Sequence, residues 1–302
     1  MRHVPGTVAQ CDHPGVAWRT QGVRVMQVTF FGVRGSTPCN GDDIARYGGN
    51  TSCVAVRAPG EDPLFFDLGT GARYLGAELA KEGTFHGTCL LSHLHWDHTQ
   101  GLPFFTPLLR DGSTLDVYAP AQSDGTTVDA VMANVIRPPV FPVTIDQLPG
   151  SVRFHDTTNS EFRIGGMRVI ARVVPHVGPT LGYRVECDGR SVAYLSDHQQ
   201  PHDGSFAVSD GARELVEGVD LLIHDAQYTP TEFAAKSTWG HCTIDYALWL
   251  AQHCHVGKVA LFHHDPTRSD VALDEVERCA KAFADTRGFE AFAAYEGLTV
   301  VV

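Results

Sequence analysis

The chain has 302 residues, 43% of them hydrophobic and 19% charged, and carries a formal net charge of -12. It contains no apolar run near the roughly 20 residues that a membrane-spanning helix requires, and its acidic balance excludes the basic face on which broad nucleic-acid binding depends. A chain of ~300 residues buries roughly 75% of its unfolded surface, enough for a core of layered sheets.

Residues 1–24 hold Pro5, Gly6, Pro14 and Gly15, with neither hydrophobic periodicity nor the apolar segment of a secretory leader. They are expected to form a flexible extension ahead of a folded domain at 25–302. A strand is expected at 25–31, followed by a loop to Asn50 that contains Arg34-Gly35-Ser36-Thr37-Pro38 and Gly48-Gly49-Asn50. Further strands are expected at 51–57 and 63–67. Asp67 then precedes a helix at 72–81, where it either caps the helix or holds the free N–H of a metal-bound imidazole.

An apolar strand at 88–91 runs into Ser92-His93-Leu94-His95-Trp96-Asp97-His98, which packs four metal-competent side chains into six residues. An amphipathic helix is expected to follow at 99–109. The period of two puts His93 and His95 on one side of an extended backbone, and Asp97 and His98, where the helix begins, can turn toward a second nearby point. One turn can therefore hold two ions. The alternative is a solvated His-rich loop, and the spacing behind an apolar strand weighs against it.

The alternation of β and α continues with a strand at 114–119 and a helix at 128–135. The Pro-rich stretch 137–143 is a loop that either covers core or walls a cleft. Strands at 162–164 and 167–174 end on Pro175-His176, and a hairpin at 181–187 and 191–196, turned by Asp188-Gly189 in type I′ geometry, ends on Ser196-Asp197-His198. Buried strands at 218–223 and 257–262 end on His224-Asp225 and His263-His264-Asp265. One histidine behind a strand is commonly structural. Four such strand ends in a chain that also carries the His93-to-His98 turn point to a shared site. The eight cysteines (Cys11, Cys39, Cys53, Cys89, Cys187, Cys242, Cys254 and Cys279) contain no CxxC pair and are expected as reduced thiols of a cytoplasmic protein.

The HLHWDH run followed by His176, Asp197 and His263 resembles the metallo-β-lactamase superfamily, over Met26 to the C-terminus. The resemblance implies an α/β fold, an αββα sandwich of two packed mixed β-sheets flanked by helices, with ligands on loops at one edge. It implies His93, His95 and His176 on one ion and Asp97, His98 and His263 on the other, with Asp197 bridging. His263 takes precedence over His264 because it comes first off its strand. A carboxylate rather than a cysteine at Asp197 departs from the narrower β-lactamase pattern.

Phe31-Gly32-Val33-Arg34-Gly35-Ser36-Thr37-Pro38 and Phe66-Asp67-Leu68-Gly69 are similar to the phosphodiesterase branch that includes RNase Z. His224-Asp225-Ala226-Gln227 resembles the HEAT motif of that branch, with Asp for Glu, and Gly240-His241-Cys242-Thr243 its HST motif, with Cys for Ser. The implied catalytic group is His241 with its acidic partner Asp225, together with Asp97, which doubles as a metal ligand. The number of imidazoles favours two Zn2+ ions, with Mn2+ or Fe2+ as the alternatives.

Two divalent ions lower the pKa of a bridging water toward ~7, clamp phosphate oxygens and stabilise an in-line displacement by the resulting hydroxide. A carboxylate-held histidine supplies the leaving oxygen with a proton. The tRNA-processing members of the branch hold RNA on a basic protruding arm, and this sequence has no Lys/Arg/Gly-rich insertion. The expected partner is a small cyclic phosphodiester, first of all a cyclic mononucleotide. The branch often forms dimers, which makes a homodimer one expectation. An RNase Z-type RNA endonuclease, a glyoxalase II-like thioesterase and a catalytically silent metal-binding sensor module are the alternatives. Metal content and turnover of bis(p-nitrophenyl) phosphate separate the enzyme from the silent module, and the thioesterase has no use for the Asp225–His241 pair.

Overall fold

A computed structural model describes residues 25–302; the expected extension at 1–24 lies outside the described residues. The first sheet is built from β1 (Gln27–Gly32), β2 (Cys53–Arg57), β3 (Leu64–Phe66), β4 (His86–Leu90), β5 (Thr114–Pro120) and β6 (Ser151–Thr157). The second is built from β7 (Ser160–Ile164), β8 (Met167–Val173), β9 (Leu181–Cys187), β10 (Arg190–Leu195), β11 (Leu221–Asp225), β12 (Lys258–Phe262) and β13 (Glu290–Ala293). The last strand, β14 (Thr299–Val301), returns to the first sheet and pairs with β1, so each sheet has seven strands among the described residues. Both sheets are mixed: β3 to β6 run parallel in the first and β10 to β13 in the second.

The central strands are apolar on both faces because both faces are covered. Val54 and Val56 of β2, Leu64 and Phe66 of β3, and Leu90 of β4 face the second sheet, while Cys53, Ala55, Phe65 and Cys89 face outward. In the second sheet Val192, Tyr194, Leu221, Ile223, Ala260 and Phe262 face inward, and Ala193, Leu195, Leu222, Val259 and Leu261 outward. The outer face of the first sheet lies under α1 (Ala72–Leu79) and α3 (Val128–Val135); that of the second lies under α4 (Asp210–Val216), α6 (Ile244–His253) and α7 (Asp270–Asp285). This is the expected αββα sandwich. Two short helices complete the set, α2 (Trp96–Thr99) and α5 (Pro230–Lys236).

Two tyrosines of the second sheet reach across the core to the first. The Tyr194 ring stacks on Phe66 at 4.5 Å, and its hydroxyl donates to Asp67 at 2.6 Å. The Tyr183 hydroxyl donates to the Leu91 carbonyl at 2.8 Å. Tyr194 thus anchors the end of β3, and Tyr183 the end of β4, where the histidine turn begins.

The expected helix at 99–109 is not formed. α2 stops at Thr99, and two 3-10 turns follow, Leu102–Phe104 and Thr106–Leu109, each with a proline in its first two positions. A proline ring removes a helical N–H and clashes with the preceding turn, so Pro103 and Pro107 each start a turn and cannot continue one. The Asp188-Gly189 turn has φ of 49° and 76°, the positive values that type I′ requires. The sequence patterning predicts no element at β6, α4, α5, α7, β13 or β14. Among the described residues the cysteines are free thiols, and no helix is long and apolar enough to cross a membrane.

Candidate metal centre and active site

The parallel strands deliver their carboxyl ends to one edge of the sandwich, where open α/β sheets bind ligands. β4 leads to His93 and His95, with α2 behind it carrying Asp97 and His98; β8 leads to His176, β10 to Asp197, β11 to Asp225 and β12 to His263. His241 lies just before Thr243, whose side chain caps α6.

The donor atoms form two groups. One atom each from His93, His95, His176 and Asp197 lies within 4.8 Å of the others, and so does one each from Asp97, His98 and His263. Asp197 stands between them. Its Oδ2 is 3.6 Å from Nε2 of both His93 and His176, and its Oδ1 is 3.2 Å from Nε2 of both His98 and His263. A third group, Asp197, His241 and His263, meets the same distance limit.

The rings are aimed by what holds their other nitrogen. Nδ1 of His98 donates to Asp67 at 2.7 Å, that of His176 to the Gly240 carbonyl at 2.7 Å, that of His241 to Asp225 at 2.8 Å and that of His263 to Gln227 at 2.9 Å. Asp67 therefore takes the imidazole-holding role of its two expected ones; it also accepts from the Ser92 amide, the Ser92 hydroxyl and Tyr194, and α1 has Gly71 at its N-cap. Of the five described non-glycine residues with positive φ, three (Ser36, Asp67 and His263) touch this centre. Backbone strain of that kind persists where the surroundings over-determine it, typically at functional sites.

Burial and charge set the protonation. Burial, with His98 alongside, pushes His93 well below the usual imidazole range. At His98 burial acts the same way, but Asp97, Asp197 and Asp67 outweigh it and hold the ring well above that range. Burial opposes ionisation of Asp97, and His98 and His263 overcome it, keeping the carboxyl far below its ordinary value. His241 is raised: burial disfavours its charge, and Asp225 more than offsets that.

The residues fit divalent ions. Nε2 of His93 and of His98 and Oδ1 of Asp197 are buried without a hydrogen-bond partner, and each belongs to a residue of the two donor groups. Such orphaned atoms are costly unless something satisfies them, and a set of imidazole nitrogens and carboxylate oxygens is what zinc, manganese and iron accept. His95 opens the site to solvent on one side.

Three histidines from the same strand ends are not brought to the centre. His264 turns away and donates to the Ala294 carbonyl at 2.9 Å, leaving the position to His263. His198 and His224 bond each other at 2.8 Å beneath Asp225, packed against Tyr246. The Pro-rich loop covers core through Phe141 and leaves Val140 exposed. Sequence reasoning missed Ser92, Ser36 and the roles of Gly240 and Gln227. The positive-φ glycine is the one local signal among these: a Cβ at Gly240, where φ is 96°, would lie 2.4 Å from the His176 ring.

The sequence profile of the beta-lactamase superfamily domain matches residues 80–264. A protein named ribonuclease Z from Synechococcus sp. (strain CC9311) is 26% identical over 310 residues, covering 86% of this chain and 95% of that protein. The metallo-beta-lactamase fold protein YhfI from Bacillus subtilis superposes with a TM-score of 0.69 at 16% identity, covering 93% of this chain and 100% of its own. A diphosphatase of the PhnP family superposes with a TM-score of 0.64 at 19% identity, covering 91% of this chain and 97% of its own. With its profile match spanning more than half the chain and its two-sheet sandwich shared with these structures, the chain belongs to the beta-lactamase superfamily, on its ribonuclease Z-like branch.

Proposed function

We propose that this protein is a dinuclear metal-dependent phosphodiesterase whose substrate is a small cyclic phosphodiester, first of all a cyclic mononucleotide. The observation that carries the reading is one juxtaposition: two converging donor groups that share Asp197, beside a histidine–carboxylate pair bonded at 2.8 Å. Ribonuclease and diphosphatase are names borne by proteins similar to it; the first denotes cleavage of a phosphodiester and the second of a phosphoanhydride, so both support hydrolysis at phosphorus.

In this reading His93, His95 and His176 would hold one ion and Asp97, His98 and His263 the other, with Asp197 standing between the two groups. Zinc is the metal that the imidazole count favours. Divalent ions held there would supply a more acidic water and neutralisation of phosphate charge. The chain's own contribution to bond cleavage is His241. With Nδ1 committed to Asp225, its Nε2 is the atom that gives a proton to the leaving oxygen as the P–O bond breaks, and Asp225 keeps the imidazolium populated.

The test is metal analysis of the reconstituted protein, followed by turnover of bis(p-nitrophenyl) phosphate and a panel of cyclic nucleotides. Two ions per chain and hydrolysis of a cyclic nucleotide are expected. One ion or none, or silence toward every phosphodiester, overturns the proposal.

A further inference from the structure

We infer that Gln227 is the positioning residue for the Asp97–His98–His263 group: its side-chain amide makes His263 a ligand and, through Ser36, steadies Asp97. The inference rests on the metal reading above. For Nε2 of His263 to offer a lone pair, the ring proton has to sit on Nδ1, and Gln227 Oε1 is the acceptor 2.9 Å from that atom. The amide's other end, Nε2, donates to the Ser36 hydroxyl at 3.2 Å, and the Ser36 backbone N–H donates to Asp97 Oδ2 at 2.7 Å. Asp97 Oδ2 in turn lies 3.2 Å from His263 Nε2. The four residues thus close a ring around one donor group, drawn from the loop after β1, from α2, and from the ends of β11 and β12.

Two further features hold that ring in place. Ser36 and His263 both sit at positive φ, 61° and 55°, where side chains other than glycine are rarely found. Gly35 is the one residue that leaves room: a Cβ there would stand 2.3 Å from His263 Nδ1 and 3.0 Å from Gln227 Oε1. The Gln227 backbone has a second duty, donating its N–H to Asp225 Oδ1 at 3.0 Å while His241 takes Oδ2. Residue 227 therefore joins the metal group to the proton donor's support.

His98 and His241 are held by carboxylates, whereas His263, like His176 on the Gly240 carbonyl, is held by a neutral amide oxygen; at His263 that oxygen belongs to a side chain whose other end reaches Ser36. A neutral acceptor fixes the tautomer without adding negative charge to a centre that already carries Asp67, Asp97 and Asp197.

Metal titration against a graded chelator distinguishes this role from packing. Zinc per chain is counted for wild type, Gln227→Leu and Gln227→Glu, and the visible spectrum of Co2+-loaded protein reports which group is filled. Leucine fills the same space without an acceptor; glutamate restores the acceptor. The expected result is a 10–100-fold loss of affinity for one of the two ions in Gln227→Leu, an unchanged first ion, and retention of both in Gln227→Glu. Gln227→Asn, one methylene too short to span the ring, carries the same expectation if the leucine variant does not fold. Wild-type affinity for both ions in Gln227→Leu, equal weakening of both, or failure of Gln227→Glu to rescue overturns the inference. A wild type that itself holds fewer than two ions removes the metal reading and this inference with it, and shows itself before any variant is compared.

Discussion

His241, like His98, has its Nδ1 on a carboxylate, but it stands outside the two main donor groups. Its Nδ1 is bonded to Asp225 at 2.8 Å and stands 3.8 Å from Asp197, so it lies beside the donor groups while being held by a carboxylate of its own. A proton donor in that position matters in proportion to how badly the leaving group needs it. His241→Ala is expected to keep both ions and to lose on the order of 10²–10⁴ in rate on a cyclic nucleotide, whose alkoxide leaves poorly. On bis(p-nitrophenyl) phosphate, whose phenolate departs without a proton, the loss should be much smaller; equal losses on both substrates, or loss of metal, would remove the general-acid role. Because Asp225 is what raises His241, Asp225→Asn lowers its pKa. The protonated form then vanishes at lower pH, and the alkaline limb of the kcat profile on a cyclic nucleotide should move toward acid; an unmoved limb sinks the assignment. The spacing of the sequence brought out His93, His95, Asp97 and His98 because they share one turn, and the strand-end pattern brought out His176, Asp197 and His263. Of the groups that aim them, Asp67 is legible as one of two roles, whereas Gly240 and Gln227 stay hidden: they are 64 and 36 residues from the histidines they hold, and such pairings exist only once the sheets are packed.

Strand ends and loops, rather than helices, do the positioning at this site. The Trp96–Thr99 helix is one turn long, and the two prolines behind it make the chain fold back over α1 instead of running on. The apolar spacing of 99–109 is genuine, but it serves 3-10 turns that bury Leu102, Phe105 and Leu108 against the outer face of the first sheet. Hydrophobic periodicity alone does not separate these outcomes; proline spacing does. The loop after β1 is pinned by Arg34, fully buried, whose guanidinium donates to the carbonyls of Gly48 at 2.7 Å, Asp265 at 3.2 Å and Arg268 at 2.7 Å. One side chain thus ties the loop bearing Gly35 and Ser36 to the segment that follows His263. Arg34→Leu leaves three carbonyls without their donor and should destabilise the protein by about 3 kcal/mol, within the range for buried groups left unsatisfied. Urea denaturation checks the figure, and a change under ~0.5 kcal/mol, the scale of an ordinary surface substitution, would show that the latch carries no load. The same variant should weaken metal retention, since the loop it frees holds Asp97.

At the scale of the whole molecule, the net charge of -12 supports the small substrate proposed above: a long polyanion meets more of the repulsive field than a small anion does. RNA binding by a basic surface has a signature: affinity falls linearly in log–log with salt, with a slope of about -0.7 per phosphate neutralised on a single strand. The ribonuclease Z relatives make RNA cleavage the serious competing reading, and the fold does not decide it, since one sandwich hosts many chemistries. Layer order was legible only through the resemblance, because apolar strands covered on both faces look alike whichever sheet they join; β14 rejoins the first sheet after 13 strands, a pairing no local pattern announces. Charge, by contrast, is read directly from composition, and it yields the sharpest contrast between the two substrates. Measured side by side at low and at physiological salt, a cyclic mononucleotide should be hydrolysed with little change in kcat/KM, while a 3′-extended tRNA precursor should be neither bound nor trimmed at comparable concentration. Efficient trimming of the precursor, with an affinity that drops steeply as salt is added, would mean that the acidic chain presents a basic track to RNA, and would replace the cyclic phosphodiester with a polynucleotide substrate.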